Sequence, residues 1–180
     1  MKENAYPVDE TGKPDLSYYS DPASYYAHMH ARAMADGRAR EAFALRVHAC
    51  WGLIANGAES LPYALAMLAS GNKDAREDAA AILSEVGKSE AVVRRLLEAL
   101  NSETEVEARD SLIMALGGLR NRAALPALAR LIEDETTDGD TRWTAVEALG
   151  KIVRRRFLTQ ADPVQSALDW IDKARSRGGL

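Results

Sequence analysis

The sequence predicts an all-α fold: a right-handed α-solenoid of about four helical hairpins, preceded by an N-terminal capping helix. Alanine and leucine dominate the apolar residues and β-branched residues are sparse, which favours helix over sheet. One pattern also recurs between residues 73 and 156: an arginine, a small or apolar residue three positions later, and a leucine seven positions later. The arginines Arg76, Arg109 and Arg142 stand 33 residues apart. A fixed period of this size predicts a stack of similar two-helix units.

The 180 residues are about one domain's length, and we expect three parts. Residues 1–20 mix prolines and glycine with charges and predict an extended arm, whose tyrosines we expect to pack on the first helices. Residues 21–176 form the single solenoid domain, and residues 177–180 a frayed tail. Asp21 and Pro22 are a strong helix start, so the capping helix runs from there to about Ala35.

The four repeats are placed at residues 39–70, 73–101, 105–134 and 141–176. Arg46 begins a divergent first copy of the pattern, 30 residues before Arg76. Helical spacing predicts an inward apolar face for its first helix. That face comprises Phe43, Val47, Cys50, Leu53 and Ile54.

The helix ends of the later repeats follow from local signals. Asp74 with Glu77, and Ser102 with Glu105, have the spacing of capping boxes. The first helix of the fourth repeat is expected from Thr141 to about Phe157. Its second helix is expected from Asp162-Pro163, with Gln165 at the capping-box position, to about Ser176.

The two-helix repeat resembles HEAT repeats, most closely the short bacterial form first associated with phycobilisome lyase subunits. The residues that carry the resemblance are the arginines Arg76, Arg109 and Arg142, the leucines Leu83, Leu116 and Leu149, and the Leu-Gly steps at Gly117 and Gly150. Ile54 and Ser84 depart from that step. The resemblance covers about residues 40–174 and implies the solenoid. It leaves function open, because HEAT arrays serve scaffolding, inhibition, transport, lyase and glycosylase roles.

The recurring arginines are expected to be structural. Each stands in the first turn of a helix, where the helix dipole disfavours a cation, so each needs a compensating partner. We therefore predict a ladder of arginine–carboxylate contacts along the seam between repeats. The ladder arginines are Arg46, Arg76, Arg109 and Arg142, and the candidate carboxylates are Asp74, Glu103, Glu105, Asp138 and Asp140.

No residue constellation predicts catalysis or metal binding. His28 and His30 point to different sides of one helix, and His48 and Cys50 lie on different faces of another. No Cys-x-x-Cys or His-Glu-x-x-His spacing occurs. We expect no catalytic residue, no metal site and no cofactor, and we interpret Cys50 as a buried small hydrophobe.

The expected function is noncatalytic binding of another protein, as an adaptor or an inhibitor, including an immunity-type protein. The second helices of HEAT solenoids form a concave face, and rigid arginine and tyrosine side chains suit an interface. The predicted contacts there are Tyr63, Arg94, Arg95, Glu98, Arg130, Asp134, Asp169 and Lys173. A possible basic edge, for phosphate or an acidic partner, comprises Arg120, Arg122, Lys151, Arg154, Arg155 and Arg156.

Two alternative functions remain open. One is a bilin-lyase-like enzyme subunit, which the family resemblance implies. The other is a nucleic-acid-binding or DNA-glycosylase-like protein, which the scattered Trp51, Trp143, Trp170 and Asp169 bring to mind. The net charge of −4 argues against nonspecific binding of nucleic acid. With one cysteine, no secretory signal and no long apolar run, we expect a cytoplasmic monomer that does not enter membranes.

Overall fold

The computed structural model describes residues 21–35 and 39–180, and the regular structure within these ranges is helical. The predicted arm, residues 1–20, lies outside the described residues. The helices are α1 (Pro22–Ala35), α2 (Ala39–Ala55), α3 (Leu61–Leu68), α4 (Lys73–Val86), α5 (Glu90–Ser102), α6 (Val106–Leu119), α7 (Leu125–Glu133), α8 (Gly139–Val153) and α9 (Pro163–Arg175). The prediction of an all-α helical repeat fold is confirmed.

The helices stack in the order of the repeats. Helix α1 packs against α2, and the first helices of the repeats, α2, α4, α6 and α8, form a row in which each contacts the next. The second helices α3, α5 and α7 each pack against the first helix of the following repeat. One continuous apolar core therefore runs from Leu53 in the first repeat to Ile171 in the last.

The repeated pattern marks the core of this stack. The pattern leucines Leu53, Leu83, Leu116 and Leu149 are completely buried, as are Ala49, Ala79, Leu112 and Ala145 at the position three after each arginine. Gly117 shows why a Leu-Gly step recurs. A Cβ added there would lie 2.8 Å from the Cα of Ala148, so only glycine lets α6 and α8 approach this closely.

Two predicted capping boxes are wrong. Helix α4 begins one residue earlier than expected, because the side chain of Asn72 caps it by accepting a hydrogen bond from the backbone N–H of Ala75 at 3.3 Å. Ser102 is the last residue of α5, and the N-cap of α6 is Glu105, whose side chain forms no cap hydrogen bond. The expected start of α1 is supported, since Asp21 accepts from the N–H of Ser24 at 2.6 Å.

Helix α8 ends four residues earlier than predicted. Its last residue is Val153, and Arg154 takes a left-handed conformation with φ of 58°. The chain then turns through Arg155 and Arg156 into a short 3-10 helix at Phe157–Thr159, which buries Phe157. The apolar Phe157 extended the helical pattern in sequence, but it reaches the core only after this turn.

The apolar face of α2 is only partly the predicted one, because Leu53 lies in the core with Cys50 and Ile54 packed against it, but Phe43 and Val47 do not. Phe43 is 62% exposed and Val47 is 38% exposed, whereas Ala42, Ala49 and Leu53 are buried. Helix α2 carries apolar residues on more than one side, so its periodicity does not select the buried face. Packing against α1 and α4 makes that selection.

Candidate interaction surfaces

The first ladder arginine forms the densest polar cluster of the described chain. The Arg46 guanidinium donates from Nε to Asp78 Oδ2 at 2.5 Å and from a terminal nitrogen to Asp78 Oδ1 at 3.1 Å. Its other terminal nitrogen donates to Asp74 Oδ2 at 2.9 Å. His30, only 2% exposed, places Nε2 at 2.7 Å from Asp78 Oδ2. Helices α1, α2 and α4 thus meet at Asp78, which the sequence prediction did not include.

The electrostatics of this cluster shift the pKa values of its carboxyl and thiol groups in opposite directions. Burial acts to raise the pKa of Asp78, but the hydrogen bonds from His30 and Arg46 outweigh it and the pKa is lowered. Burial, together with the negative charge and hydrogen bond of Asp78, raises the pKa of the Cys50 thiol to about 12. A thiol that stays protonated is a poor nucleophile and a poor metal ligand.

A metal centre is a weak interpretation of the same residues. The ligand atoms of His30, Cys50 and Asp78 lie within 4.8 Å of one another. Structural zinc sites, however, use four ligands with a deprotonated thiol, and the Arg46 guanidinium already binds both oxygens of Asp78. We interpret the cluster as a hydrogen-bond network that joins the capping helix to the first two repeats.

The second ladder arginine also pairs with a carboxylate. Arg76 donates to both oxygens of Glu103, at 2.7 and 2.9 Å, and to the backbone carbonyl of Ser70 at 2.9 Å. The Arg76 hydrogen bond, opposed by burial and helped by the backbone N–H of Glu105, lowers the pKa of Glu103 to about 2. The prediction of Asp74 and Glu103 as ladder partners agrees with these contacts.

For the other two ladder arginines the prediction of carboxylate partners is wrong. Arg109 donates to the backbone carbonyl of Glu103 at 3.0 Å, and Arg142 Nε donates to the carbonyl of Ile132 at 2.6 Å. Helical side chains point toward the N-terminus of their helix, so each arginine reaches back to the end of the preceding helix, where unpaired carbonyls favour a cation. Asp138 is engaged instead in capping α8 through the N–H groups of Asp140 and Thr141.

An apolar stripe lies on the outer side of α2. It consists of Phe43, Val47 and Trp51, which follow one another at intervals of four residues and share one face of the helix. Trp51 is 67% exposed, more than any other large apolar residue described. The sequence pattern predicted Phe43 and Val47 as core residues and did not group them with Trp51. Only the packed structure shows that they form a surface.

The predicted concave contacts lie on or next to the second helices α3, α5, α7 and α9, and they do not line one cavity together. Arg94, Arg95 and Glu98 are exposed on α5, where Arg95 and Glu98 pair at 2.9 Å. Arg130 and Asp134 line a cavity of about 260 Å³ beside Glu103 and Arg109.

The remaining predicted contacts lie elsewhere. Tyr63 is half-buried, and its hydroxyl donates to Asp21 Oδ2 at 3.3 Å, so it contacts the start of α1 and is not free for a partner. Asp169 and Lys173 belong to a different cavity, at the C-terminal end of the stack.

The residues of the predicted basic edge line a groove at the C-terminal end of the stack. Three cavities, of about 420, 330 and 320 Å³, share the side chain of Arg155. We call their joint surface the basic groove. Its basic residues are Arg120, Arg122, Lys151, Arg154, Arg155, Arg156, Lys173 and Arg177. Sequence reasoning found six of the eight, but it placed Lys173 on the concave face and missed Arg177.

Residues 93–176 match the family model described as HEAT repeats. This segment of the chain consists of HEAT repeats. The matched segment begins in α5 and ends just after α9, and it therefore contains the last two repeats and every basic residue of the groove except Arg177. No curated protein is significantly similar to the chain. Across residues 21–35 and 39–180, no helix has both the length and the apolarity needed to cross a membrane.

HEAT repeats generally mediate protein–protein interaction, and this chain carries two surfaces suited to it. The apolar stripe on α2 can lose water against an apolar partner surface. The basic groove can form charge-assisted hydrogen bonds to anionic groups. The two lie at opposite ends of the stack.

Proposed function

We propose that this protein is a noncatalytic module that binds another protein, as an adaptor or an inhibitor. The observation that carries the proposal is the apolar stripe of Phe43, Val47 and Trp51. Contiguous exposed apolar patches mark interaction sites on soluble proteins, and aromatic residues supply much of the binding energy at interfaces. The high pKa of the Cys50 thiol supports a noncatalytic role, because it removes the one sulfur nucleophile.

Only the first repeat carries a large apolar residue at all three stripe positions. Aligned on the ladder arginine, these positions correspond to Lys73, Glu77 and Ala81 in α4, to Val106, Asp110 and Met114 in α6, and to Gly139, Trp143 and Glu147 in α8. Exposed apolar residues therefore recur on this face of α6 and α8, but a charged or small residue interrupts them. Burial of the core does not require large apolar residues at these positions, so their presence in α2 favours a role in binding.

The charge beside the stripe favours a different protein over a second copy of this chain. The stripe exposes on the order of 300 Å², while a stable interface buries roughly 800 Å² on each partner. Contact must then extend to neighbouring residues, and exposed Arg40 lies just before Phe43. In a symmetric pair Arg40 would approach its own copy, whereas a partner with a carboxylate at this point would complement it.

The concave face remains a second candidate surface for the same function. Arg94 and Arg130 are exposed, and neither forms an ion pair within the described part of the chain. Arginine on a rigid helix loses little entropy on binding. A role as an immunity-type inhibitor would use either surface.

The experiment compares matched variants of the full chain in capturing a partner from nuclease-treated lysate of the native host. Phe43→Ser with Trp51→Ser removes the stripe. Met114→Ser with Trp143→Ser is the control, because it removes two other exposed large apolar residues, on α6 and α8. Arg94→Glu with Arg130→Glu tests the concave face. Thermal unfolding verifies that each variant is folded.

We expect the wild type, the control and the concave-face variant to capture the same protein in near-equal amount, and the stripe variant to lose it at least about tenfold. Capture that survives in the stripe variant and fails in the concave-face variant would move the site to the concave face. If the wild type instead retains nucleic acid in a parallel capture from untreated lysate, or develops an absorbance band with bilin, the alternative functions replace this one.

A further inference from the structure

We propose that the basic groove is a second binding site, which takes an extended acidic segment of a polypeptide. The proposal rests on the protein-binding function but uses a surface at the other end of the stack from the apolar stripe. The largest of its three cavities, of about 420 Å³, has the size of a ligand site, and its continuation through the two others makes the surface elongated. An elongated surface fits a chain better than a compact ion.

The groove holds cations that the protein itself does not neutralise. Arg120, Arg154, Arg155 and Arg156 form no ion pair with a carboxylate of the described residues. This contrasts with the ladder arginines, each of which has a protein partner. The two acids that line the groove are already engaged: Glu147 pairs with Lys151 at 2.9 Å, and Asp169 accepts a hydrogen bond from Gln165 at 2.8 Å.

The backbone at the groove is held in an unfavourable conformation. Arg120 and Arg154 are the two non-glycine residues with positive φ in the described chain, at 53° and 58°. They are the C-caps of α6 and α8, and both line the largest cavity. Helices commonly use glycine for such a left-handed cap, because a side chain there costs conformational energy. Arginine at both strained positions favours a role for these two side chains in binding the ligand.

The surroundings favour carboxylates on a peptide over phosphate. Phosphate sites commonly use the N–H groups of helix N-termini, whereas α6 and α8 present their C-terminal ends here. Single-stranded nucleic acid binds by stacking successive bases on exposed aromatic rings, but in the groove Phe157 is buried and Trp170 is half-buried, with its ring centroid 6.5 Å from that of Phe157 in a T-shaped contact. Guanidinium groups pair well with carboxylates, and the apolar floor of Val146 and Leu158 accepts an apolar side chain between them.

Long-range charge also directs an acidic segment to this end. Eight cations and two carboxylates line the groove, a net charge of +6, while the whole chain carries −4. The remainder of the molecule therefore carries about −10 and repels an acidic chain. Such a distribution raises the rate and the specificity of association more than the contacts alone do.

The test is fluorescence anisotropy of a labelled peptide built from Glu-Glu-Leu units, titrated with the full chain at low and at physiological salt. The same peptide with Gln in place of Glu measures the part of binding that needs no charge. Arg155→Glu with Arg156→Glu disrupts the groove. Arg94→Glu with Arg95→Glu, exposed on α5, makes the same change in net charge elsewhere.

We expect the acidic peptide to bind, to weaken with salt, and to lose at least about tenfold in affinity in the groove variant but less than about threefold in the α5 variant. The stripe variant Phe43→Ser with Trp51→Ser should bind this peptide like the wild type, which separates this proposal from the preceding one. Four results would overturn it. They are no binding of the acidic peptide, equal binding of the Gln peptide, equal loss of affinity in both charge variants, and tighter binding of an oligothymidine strand, which would favour a phosphodiester ligand.

Discussion

The two halves of the arginine ladder use the same residue in different ways. In the N-terminal half, Arg46 and Arg76 each donate hydrogen bonds from two nitrogens to one carboxylate. In the C-terminal half, Arg109 and Arg142 each donate to a backbone carbonyl at the end of the preceding segment. The position in the repeat is the same in all four cases, but the chemistry of the contact changes along the stack.

The difference shows that the position of an arginine in the repeat does not determine whether its partner is a carboxylate or a backbone carbonyl. An arginine in the first turn of a helix points back toward the end of the preceding second helix. Arg46 departs from the predicted position, because α2 begins at Ala39 and Arg46 therefore lies in the middle of that helix and not in its first turn. It pairs with Asp78 and Asp74 of α4. Carboxylate contacts change with pH, whereas carbonyl contacts do not, so the two halves should respond differently to acid and to mutation.

The largest expected effect concerns the thiol beside the first ladder contact. With a pKa of about 12, Cys50 should be alkylated by iodoacetamide at pH 8 about a thousandfold more slowly in the folded protein than in urea. Asp78→Asn should speed the reaction, because it removes the neighbouring negative charge. The control is Asp110→Asn, at a carboxyl that contacts Thr141 in the C-terminal half. Similar rates for folded and unfolded protein would contradict the assignment.

A smaller effect separates the two kinds of ladder contact by stability. Arg46→Met leaves Asp78 largely buried without its guanidinium, and should lower the free energy of unfolding by about 3 kcal/mol. Arg142→Met removes a hydrogen bond to a carbonyl and should cost about 1 kcal/mol. Urea unfolding at pH 7 measures both values. Equal losses would show that the two contacts contribute alike.

A more gradual effect is the pH dependence of the second contact, which is spread over more than two pH units. The folded pKa of Glu103, about 2, lies below its usual value of 4.5. Ionised Glu103 therefore stabilises the fold fully above the usual value, and this contribution is lost as the pH falls from 4.5 toward 2. The side chain of Glu103 is 4% exposed, so we expect its ionisation to contribute about 2 kcal/mol to the free energy of unfolding.

Urea unfolding between neutral and acid pH measures this contribution. Glu103→Gln should flatten the loss of stability in that range. Glu105→Gln, which removes a nearby carboxyl with no ion pair, should leave the loss unchanged. An unchanged acid response in Glu103→Gln would show that the Arg76 contact has no part in it.

Much of the fold was predictable because its signals are local. The leucine and alanine positions of the repeat are buried as expected, and the run Arg154-Arg155-Arg156 does gather with other cations at one edge. Contacts between distant elements were not predictable. His30 and Asp78 are 48 residues apart and belong to no motif, so nothing in the sequence pairs them. The basic groove was only partly predicted, because Lys173 and Arg177 join it from α9 and the residues that follow.

The sequence by itself determined the stacking of helical hairpins, because a period of 33 residues and buried leucines place apolar faces where neighbouring repeats must cover them. The tertiary structure alone decided which side of α2 remains outside and which group each ladder arginine meets. The physical reason is that helix periodicity is a property of one segment, whereas burial and pairing depend on what other segments bring alongside it. The apolar stripe and the basic groove both result from this packing of one segment against another.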